Sequence, residues 1–242
     1  MERTEWLRQM RGKAEELYDH LSPQYWVKFG LYANDTHREY LQKFLERVPD
    51  RSTLLSAAFG AGRYDGVLLD AGHSVVGIDQ SAGMLARAKE RFPSVRYEKI
   101  GLQEMDFREA FDGAIRMDSM EHVCPEDWPE VLRGFWEVLK PGGVLHFTVE
   151  LAEANVLEEA FEEAKSQGLP VVFGELVSAL DLAYECVKAS GGSDISGELA
   201  SKAVYHYYPS LEQVRTWIGE AGLAIEDEGT GNGYEHFLVR KE

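Results

Sequence analysis

The stretch that most constrains this chain is Thr53 to Ser81, TLLSAAFGAGRYDGVLLDAGHSVVGIDQS. Thr53 to Ala57 is a short apolar run that breaks at Gly60-Ala61-Gly62, where missing side chains let the backbone turn sharply and lie close to a ligand. Arg63 to Ala71 carries Val67, Leu68 and Ala71 on one helical face, and Gly72 stops it as a left-handed cap. Ser74 to Ile78 is a second buried strand, and Asp79 follows directly. A parallel β-α-β unit of this kind holds its ligand at the carboxyl ends of the strands, so the glycine turn and Asp79 flank one crevice. A ribose suits that crevice, because two vicinal hydroxyls can donate to one carboxylate.

The rest of the chain supplies the layers around this unit. Trp6, Leu7, Met10, Ala14, Leu17, Tyr18 and Leu21 recur at helical spacing, and Tyr40, Leu41, Phe44, Leu45 and Val48 do so again, which predicts two helices ahead of the sheet. The aromatic-rich connection between them, Tyr25 to Tyr32, either packs these helices onto the domain or forms a lid over a ligand. After Asp79, Ser81 caps a helix through Arg91, Val95 to Ile100 alternates as a third strand, and Phe111 to Met117 is a fourth. Pro125 to Lys140 reads as a helix, turned by Pro141-Gly142-Gly143 into a fifth strand, Val144 to Glu150. Strands alternating with helices five times imply a doubly wound parallel α/β sheet covered on both faces. At the end, Ser210 and Gln213 form a capping box before a helix closed by Gly222, and Leu223 to Gly229 with Tyr234 to Arg240 make a hairpin around Gly231-Asn232-Gly233.

Residues 151–204 are not needed by that scheme and are expected to be a helical insertion. They contain an acidic helix around Val156 to Phe161 with a solvated glutamate face, an apolar helix from Leu176 to Val187, and a mobile loop from Ser190 to Gly197. The chain thus divides into N-terminal helices (1–50), a core (51–150), the insertion (151–204) and a terminal helix with its hairpin (205–242), all within one domain.

Charge narrows the partners. The 42 acidic against 25 basic residues give a formal net charge of -17, which disfavours a phosphate backbone, so no nucleic acid is expected as partner. Cys124 and Cys186 lie far apart with no CxxC spacing and read as reduced thiols. The charged N-terminus lacks the apolar core of a signal peptide and no run reaches membrane-spanning length, so a soluble cytoplasmic protein, not a membrane protein, is expected. His122, His146, His206 and His236 show no HxH, HxxxH or HExxH spacing, so no metal is expected.

Taken as a set, the glycine turn, Asp79, FDGAIRMDSMEHV at the fourth strand, LKPGG before the fifth and the terminal hairpin resemble the class I S-adenosylmethionine (SAM)-dependent methyltransferases. The resemblance runs from about Thr53 to Val149 and again from about Tyr205 to Arg240. It implies a Rossmann-like, seven-stranded, mostly parallel sheet whose last strand is antiparallel, with SAM as cofactor. On that likeness Gly60 and Gly62 approach the methionine and ribose portions, Asp79 binds the ribose hydroxyls, and Gln80, Ser81 and Met84 line the ribose and adenine side. Leu102 and Gln103 sit where the family holds adenine, Met117 and Asp118 lie beside the sulfonium, and Arg63 reaches the methionine carboxylate. Glu121-His122 resembles the family's acid-histidine pair at the start of the next helix, with either a structural or a proton-handling role.

The family pattern, acid-x-G-x-G-x-G, is met here by Ser56-Ala57-Ala58-Phe59-Gly60-Ala61-Gly62. Ser56 thus replaces a partner of the methionine ammonium, and Phe59 adds bulk near the cofactor tail. Either Ser56 serves through a water or the site has turned to another use of SAM. The expected function is methyl transfer to an O or N nucleophile of a small-molecule acceptor. The alternatives are a non-methylating SAM enzyme or a regulatory binding module, and then an NAD-dependent oxidoreductase, which the residue Asp65 in place of a third glycine disfavours. On the acceptor side His206, Glu150, Tyr207 and His122 are the candidate catalytic groups, His206 foremost because imidazole titrates near neutrality.

Overall fold

The structure, a computed structural model, describes residues 1–30, 34–179 and 203–242. At its centre are β1 (Thr53–Ala57), β2 (Ser74–Asp79), β3 (Arg96–Lys99), β4 (Phe111–Arg116), β5 (Leu139–Glu150), β8 (Leu223–Gly231) and β9 (Tyr234–Lys241). They form a seven-stranded sheet in the order β3-β2-β1-β4-β5-β9-β8. The first five run parallel, and β9 is antiparallel to both β5 and β8. The order reverses between β1 and β4, so a crevice opens at the carboxyl ends of those strands.

Alternation along the strands builds two cores. Leu54, Ile115 and Leu238 point to one face, where Tyr40, Leu41 and Phe44 of α2 (Asp35–Leu45) and Leu68 of α3 (Asp65–Asp70) cover them. Leu55, Ala114 and Phe237, one residue away in each strand, point to the other face. There they meet Val131, Leu132 and Phe135 of α5 (Trp128–Val138) and Val214, Trp217 and Ile218 of α7 (Leu211–Glu220). Asp112 ties the far end of the sheet together, accepting hydrogen bonds from Thr53 N at 2.9 Å and Lys140 Nζ at 2.7 Å. Ser81 caps α4 (Ala82–Arg91) by accepting from Met84 N at 3.1 Å, and Ser210 caps α7 in the same way.

Four expectations are corrected. The first helix does not stop before the aromatic stretch: α1 (Arg3–Phe29) runs through Pro23, so Tyr25, Trp26 and Phe29 are helical. Pro23 has no N–H for the Asp19 carbonyl one turn back, and Ser22 Oγ donates to that carbonyl instead at 2.9 Å. Residues 31–33 lie outside the described residues. Second, Leu176 begins no helix. It lies in β6 (Glu175–Ala179), paired antiparallel with β7 (Ala203–Tyr207), because each strand finds its partner across the insertion rather than within its own neighbourhood. The remainder of that expected helix, and the Ser190 to Gly197 loop, lie outside the described residues. Third, β5 starts at Leu139 and takes in Pro141-Gly142-Gly143 through a register shift opposite Phe111 and Gly113. Fourth, Glu121 and His122 sit in a short 3-10 turn well ahead of α5. The acidic helix is present as α6 (Ala154–Ser166), with Leu157 and Ala164 buried and its glutamates in solvent.

Candidate functional site

A cavity of about 100 Å³ lies at the carboxyl ends of β1, β2 and β4, under α1. Ser56, Phe59, Gly60 and Arg63 line it from the glycine turn, and Asp79, Gln80 and Met84 from the second strand and α4. Leu102 and Gln103 close a third side; Met117, Asp118 and His122 close a fourth. Gly62 and Ser81 are not among the lining residues. A Cβ on Gly62 would meet Asp65 Oδ2 at 3.1 Å and the Phe92 ring at 3.2 Å, so its missing side chain serves packing of α3 rather than a ligand. Ser81 is buried as a cap, and its hydroxyl donates to Asp19 Oδ1 on α1 at 2.6 Å.

Asp79 is held by backbone alone. It accepts from Gly60 N at 3.0 Å and Ser81 N at 2.8 Å, which aims the carboxylate along the cavity wall. Burial pushes its pKa up to about 6, against those two bonds and the charge of Arg116. Gly60 has a φ of 60°, and a Cβ there would meet the Tyr25 ring at 3.4 Å, so the turn leaves a bare backbone surface beside the carboxylate.

Arg63 lines the cavity and is also engaged within the protein. Its Nη1 donates to Asp118 Oδ2 at 2.9 Å, and His37 Nε2 donates to Asp118 Oδ1 at 2.5 Å. Burial favours a neutral Asp118, but the His37 bond and the charges of His37 and Arg63 outweigh it and hold the carboxyl below its ordinary range. Asp118 is therefore an anchor between β4, α2 and the glycine turn. Its φ of 51° is one an Asp tolerates in a turn.

The altered glycine turn has a local logic. Ser56 lies against Asp65, a buried acid at the start of α3 whose pKa burial raises to about 6, restrained by the Ser56 hydroxyl and by Tyr97 OH, which donates at 3.1 Å. An acid stands near the end of β1 after all, supplied from the following helix. Phe59 turns from the cavity centre towards Tyr97, 4.9 Å between ring centroids, and both rings cover Gly77. Ala58, where the family pattern has its first glycine, has a φ of 46°. Ala58→Gly is therefore expected to raise stability by about 1 kcal/mol, seen as a higher denaturant midpoint at unchanged slope; no gain would mean the turn relaxes without strain.

The candidate catalytic groups meet behind one wall of the cavity. His122 Nδ1–H donates to the Tyr205 carbonyl at 3.3 Å, which leaves Nε2 as an acceptor, and Tyr18 OH of α1 donates to it at 2.7 Å. Burial, then the charge of Arg116, lowers the His122 pKa to about 4, so the ring is neutral. His206 stands edge-on behind it at 4.8 Å between centroids, and its Nδ1 shares a hydrogen bond with Tyr208 OH at 3.1 Å. Tyr208 also bonds Glu150, whose pKa is raised to about 8 by burial and by neighbouring Glu121. His206 and Glu150 do not line the cavity; they form a polar chain behind His122. Burial lowers His206 to about 3, so it is no base titrating near neutrality. Tyr207 is excluded from this chain by the alternation of β7, which turns it into the core, where its hydroxyl donates to Gln213 Oε1 at 3.3 Å. Tyr18 and Arg116 were not anticipated from the sequence as parts of the site. Tyr18 follows only from the passage of α1 over the cavity, whereas Arg116, a charge closing an apolar strand, was visible in FDGAIR.

A sheet in this order, with its cavity at the reversal point and an acid closing β2, is the architecture of the class I SAM-dependent methyltransferases, and the chain shares that fold. Residues 54–143 match the family model described as a methyltransferase domain. Among curated relatives, the ubiquinone biosynthesis O-methyltransferase of Bradyrhizobium sp. is 36% identical over 96 residues, covering 38% of this chain and 37% of that protein. The trans-aconitate 2-methyltransferase of Deinococcus radiodurans is 37% identical over 73 residues, 30% of this chain and 27% of that protein. The similarity thus spans under two fifths of either relative's length. Two solved structures share the fold at low identity. The Burkholderia thailandensis 1,6-didemethyltoxoflavin-N1-methyltransferase with its substrate and S-adenosylhomocysteine superposes with a TM-score of 0.63 at 17% identity, covering 100% of this chain and 91% of that one. A Rhodobacter sphaeroides structure described as a Zn-dependent alcohol dehydrogenase superposes with a TM-score of 0.72 at 13% identity, covering 95% and 98%. Among the described residues no three His, Cys, Asp or Glu side chains gather to hold a metal ion, and no helix is long and apolar enough to cross a membrane.

Proposed function

We propose that this protein is a SAM-dependent methyltransferase that acts on an O or N nucleophile of a small-molecule acceptor. The observation that carries the reading is the pairing, on the walls of one cavity, of an acid aimed by backbone N–H groups (Asp79) with a neutral histidine whose acceptor nitrogen is held by a tyrosine (Tyr18–His122). The residues fit SAM: Asp79 beside the bare backbone of Gly60 suits a ribose diol, and Met84, Leu102 and Gln103 offer a largely apolar slot to adenine. When bound, SAM supplies a methyl group activated by a positive sulfur. The chain's own task is to align the acceptor and take its proton. Tyr18 OH passes its proton to His122 Nε2 as it takes the acceptor's, and the hydrogen-bonded group His206, Tyr208 and Glu150 behind the ring supplies a carboxylate whose charge favours the imidazolium.

The net charge of -17 supports a small acceptor over nucleic acid, and the free, buried Cys124 thiol supports a cytoplasmic location. Incubation with methyl-labelled SAM and a metabolite extract is expected to place label in a small molecule. Label in protein or nucleic acid would overturn the acceptor class. Tight SAM binding with no labelled product would overturn turnover and leave the reading as a SAM-binding regulator.

A further inference from the structure

β4 is apolar through Ala114 and Ile115 and then ends on Arg116, the one cationic side chain of that strand. A guanidinium in such a place loses its hydration and demands anionic partners. Arg116 is 1% exposed, yet its Nε and Nη1 have no hydrogen-bond acceptor, and among the described residues it makes no ion pair within 4.0 Å. Burial lowers its pKa to about 10, so it remains a cation at neutral pH. Every acid near it is engaged otherwise or out of reach. Asp79 is held by Gly60 and Ser81, Asp118 by His37 and Arg63, and Glu121 acts on Arg116 only through space, with its own Oε2 unpartnered. Arg116 lines the same cavity as His122 and stands close enough for its charge to disfavour imidazolium there.

We propose that Arg116 is the carboxylate receptor of the acceptor site: the acceptor is a small carboxylic acid whose anionic group pairs with Arg116 while its nucleophile faces His122. The inference rests on the methyltransferase reading and deepens it. A carboxylate matches the planar donor set of a guanidinium and completes donors that the protein leaves unmatched. It also brings a negative charge beside His122, the change that favours a proton on that ring. The methionine end of SAM carries a carboxylate too, so the test must separate the two sources.

S-Adenosylhomocysteine has that methionine-type end and 5'-methylthioadenosine lacks it, so calorimetry of both on wild type, Arg116→Gln and Arg116→Lys separates them. Thermal shifts at saturating S-adenosylhomocysteine with benzoate, succinate and citrate, each against its amide, read the acceptor side. The expected result is that carboxylates but not amides raise the wild-type midpoint. Arg116→Gln then weakens carboxylate binding roughly 10- to 100-fold, Arg116→Lys recovers part of it, and both nucleosides bind all three proteins equally. Loss of S-adenosylhomocysteine affinity with methylthioadenosine unaffected would assign Arg116 to the methionine end and overturn the proposal. So would a wild-type protein that does not distinguish acids from amides, a result that stands even if the variants fail to fold. Failure of wild type to bind S-adenosylhomocysteine at all would strike the methyltransferase reading itself.

Discussion

Asp79→Ala is expected to weaken S-adenosylhomocysteine binding by roughly 100-fold, measured by calorimetry slightly above neutral pH. Among the described residues, the carboxylate is the one group that both lines the cavity beside the glycine turn and is fixed by two backbone donors, Gly60 N and Ser81 N. Its removal costs the ligand's diol two charge-assisted bonds and leaves both N–H groups without their partner. The pH dependence sharpens the test. Burial raises Asp79 to about 6, and a diol donates best to the ionised form, so affinity should be flat above that value and fall about tenfold per unit below it. Stability without ligand runs the other way. A carboxyl with a raised folded-state pKa contributes stability that is fully present below its ordinary value and is lost as pH rises through about 6. Asp79→Asn should remove both slopes. An affinity that is unchanged in Asp79→Ala would remove this residue from the ribose site.

His122→Gln is expected to lower kcat by roughly 100- to 10,000-fold while leaving S-adenosylhomocysteine affinity unchanged, and Tyr18→Phe should act in the same direction more weakly. Gln can still accept from Tyr18 OH but cannot carry a proton away. Because burial and Arg116 keep His122 near 4, the rate should show no inflection from that ring around neutrality. Glu150, raised to about 8 by burial and Glu121, favours an imidazolium in front of it only when ionised, so kcat should climb as pH rises to about 8. Glu150→Gln should flatten that climb. The same raised pKa means that Glu150 contributes stability at low pH that is lost as pH rises through about 8, so the Gln variant should gain relative stability in alkali. A His122→Gln enzyme with full kcat would show that the acceptor's nucleophile needs no base.

The fold was legible because it rests on local signals. Gly60, Gly72 and Gly222 all take the positive φ that their places after a strand or helix require, and Ser81 and Ser210 cap as their spacing to the next apolar run predicts. Two features defeated local reading. The first helix was expected to give way to a connection by Tyr25, but it runs on through Pro23, where a serine one residue earlier occupies the carbonyl that proline cannot. The β6–β7 pair looked helical at Leu176 because a strand whose partner lies across the insertion leaves no short-range mark.

The site was legible where one motif carried it and opaque where two distant segments made it. Asp79 and Gly60 could be read from a single stretch. The Tyr18–His122 contact joins residues 104 positions apart and has no pattern of its own. Arg63 shows what a distant segment adds: it lines the cavity as its position suggested, and Asp118, two residues past the end of β4, reaches it as well. His206 and Tyr207 show how one residue of register decides a role, since β7 sends the first towards His122 and the second into the core.

Helix α1 is tied down at both ends, by Arg3 on Glu175 near its start and by Asp19 on Ser81 and Gly83 further along, with Tyr18 between them. The part that covers the cavity is thus also the part that positions the base. On the proposed reading, a displacement of α1 large enough to part the Tyr18 hydroxyl from His122 would disarm the site. Reactivity would then be confined to the closed arrangement, and a methyl donor alone in an open cleft would meet no assembled machinery to spend it on water.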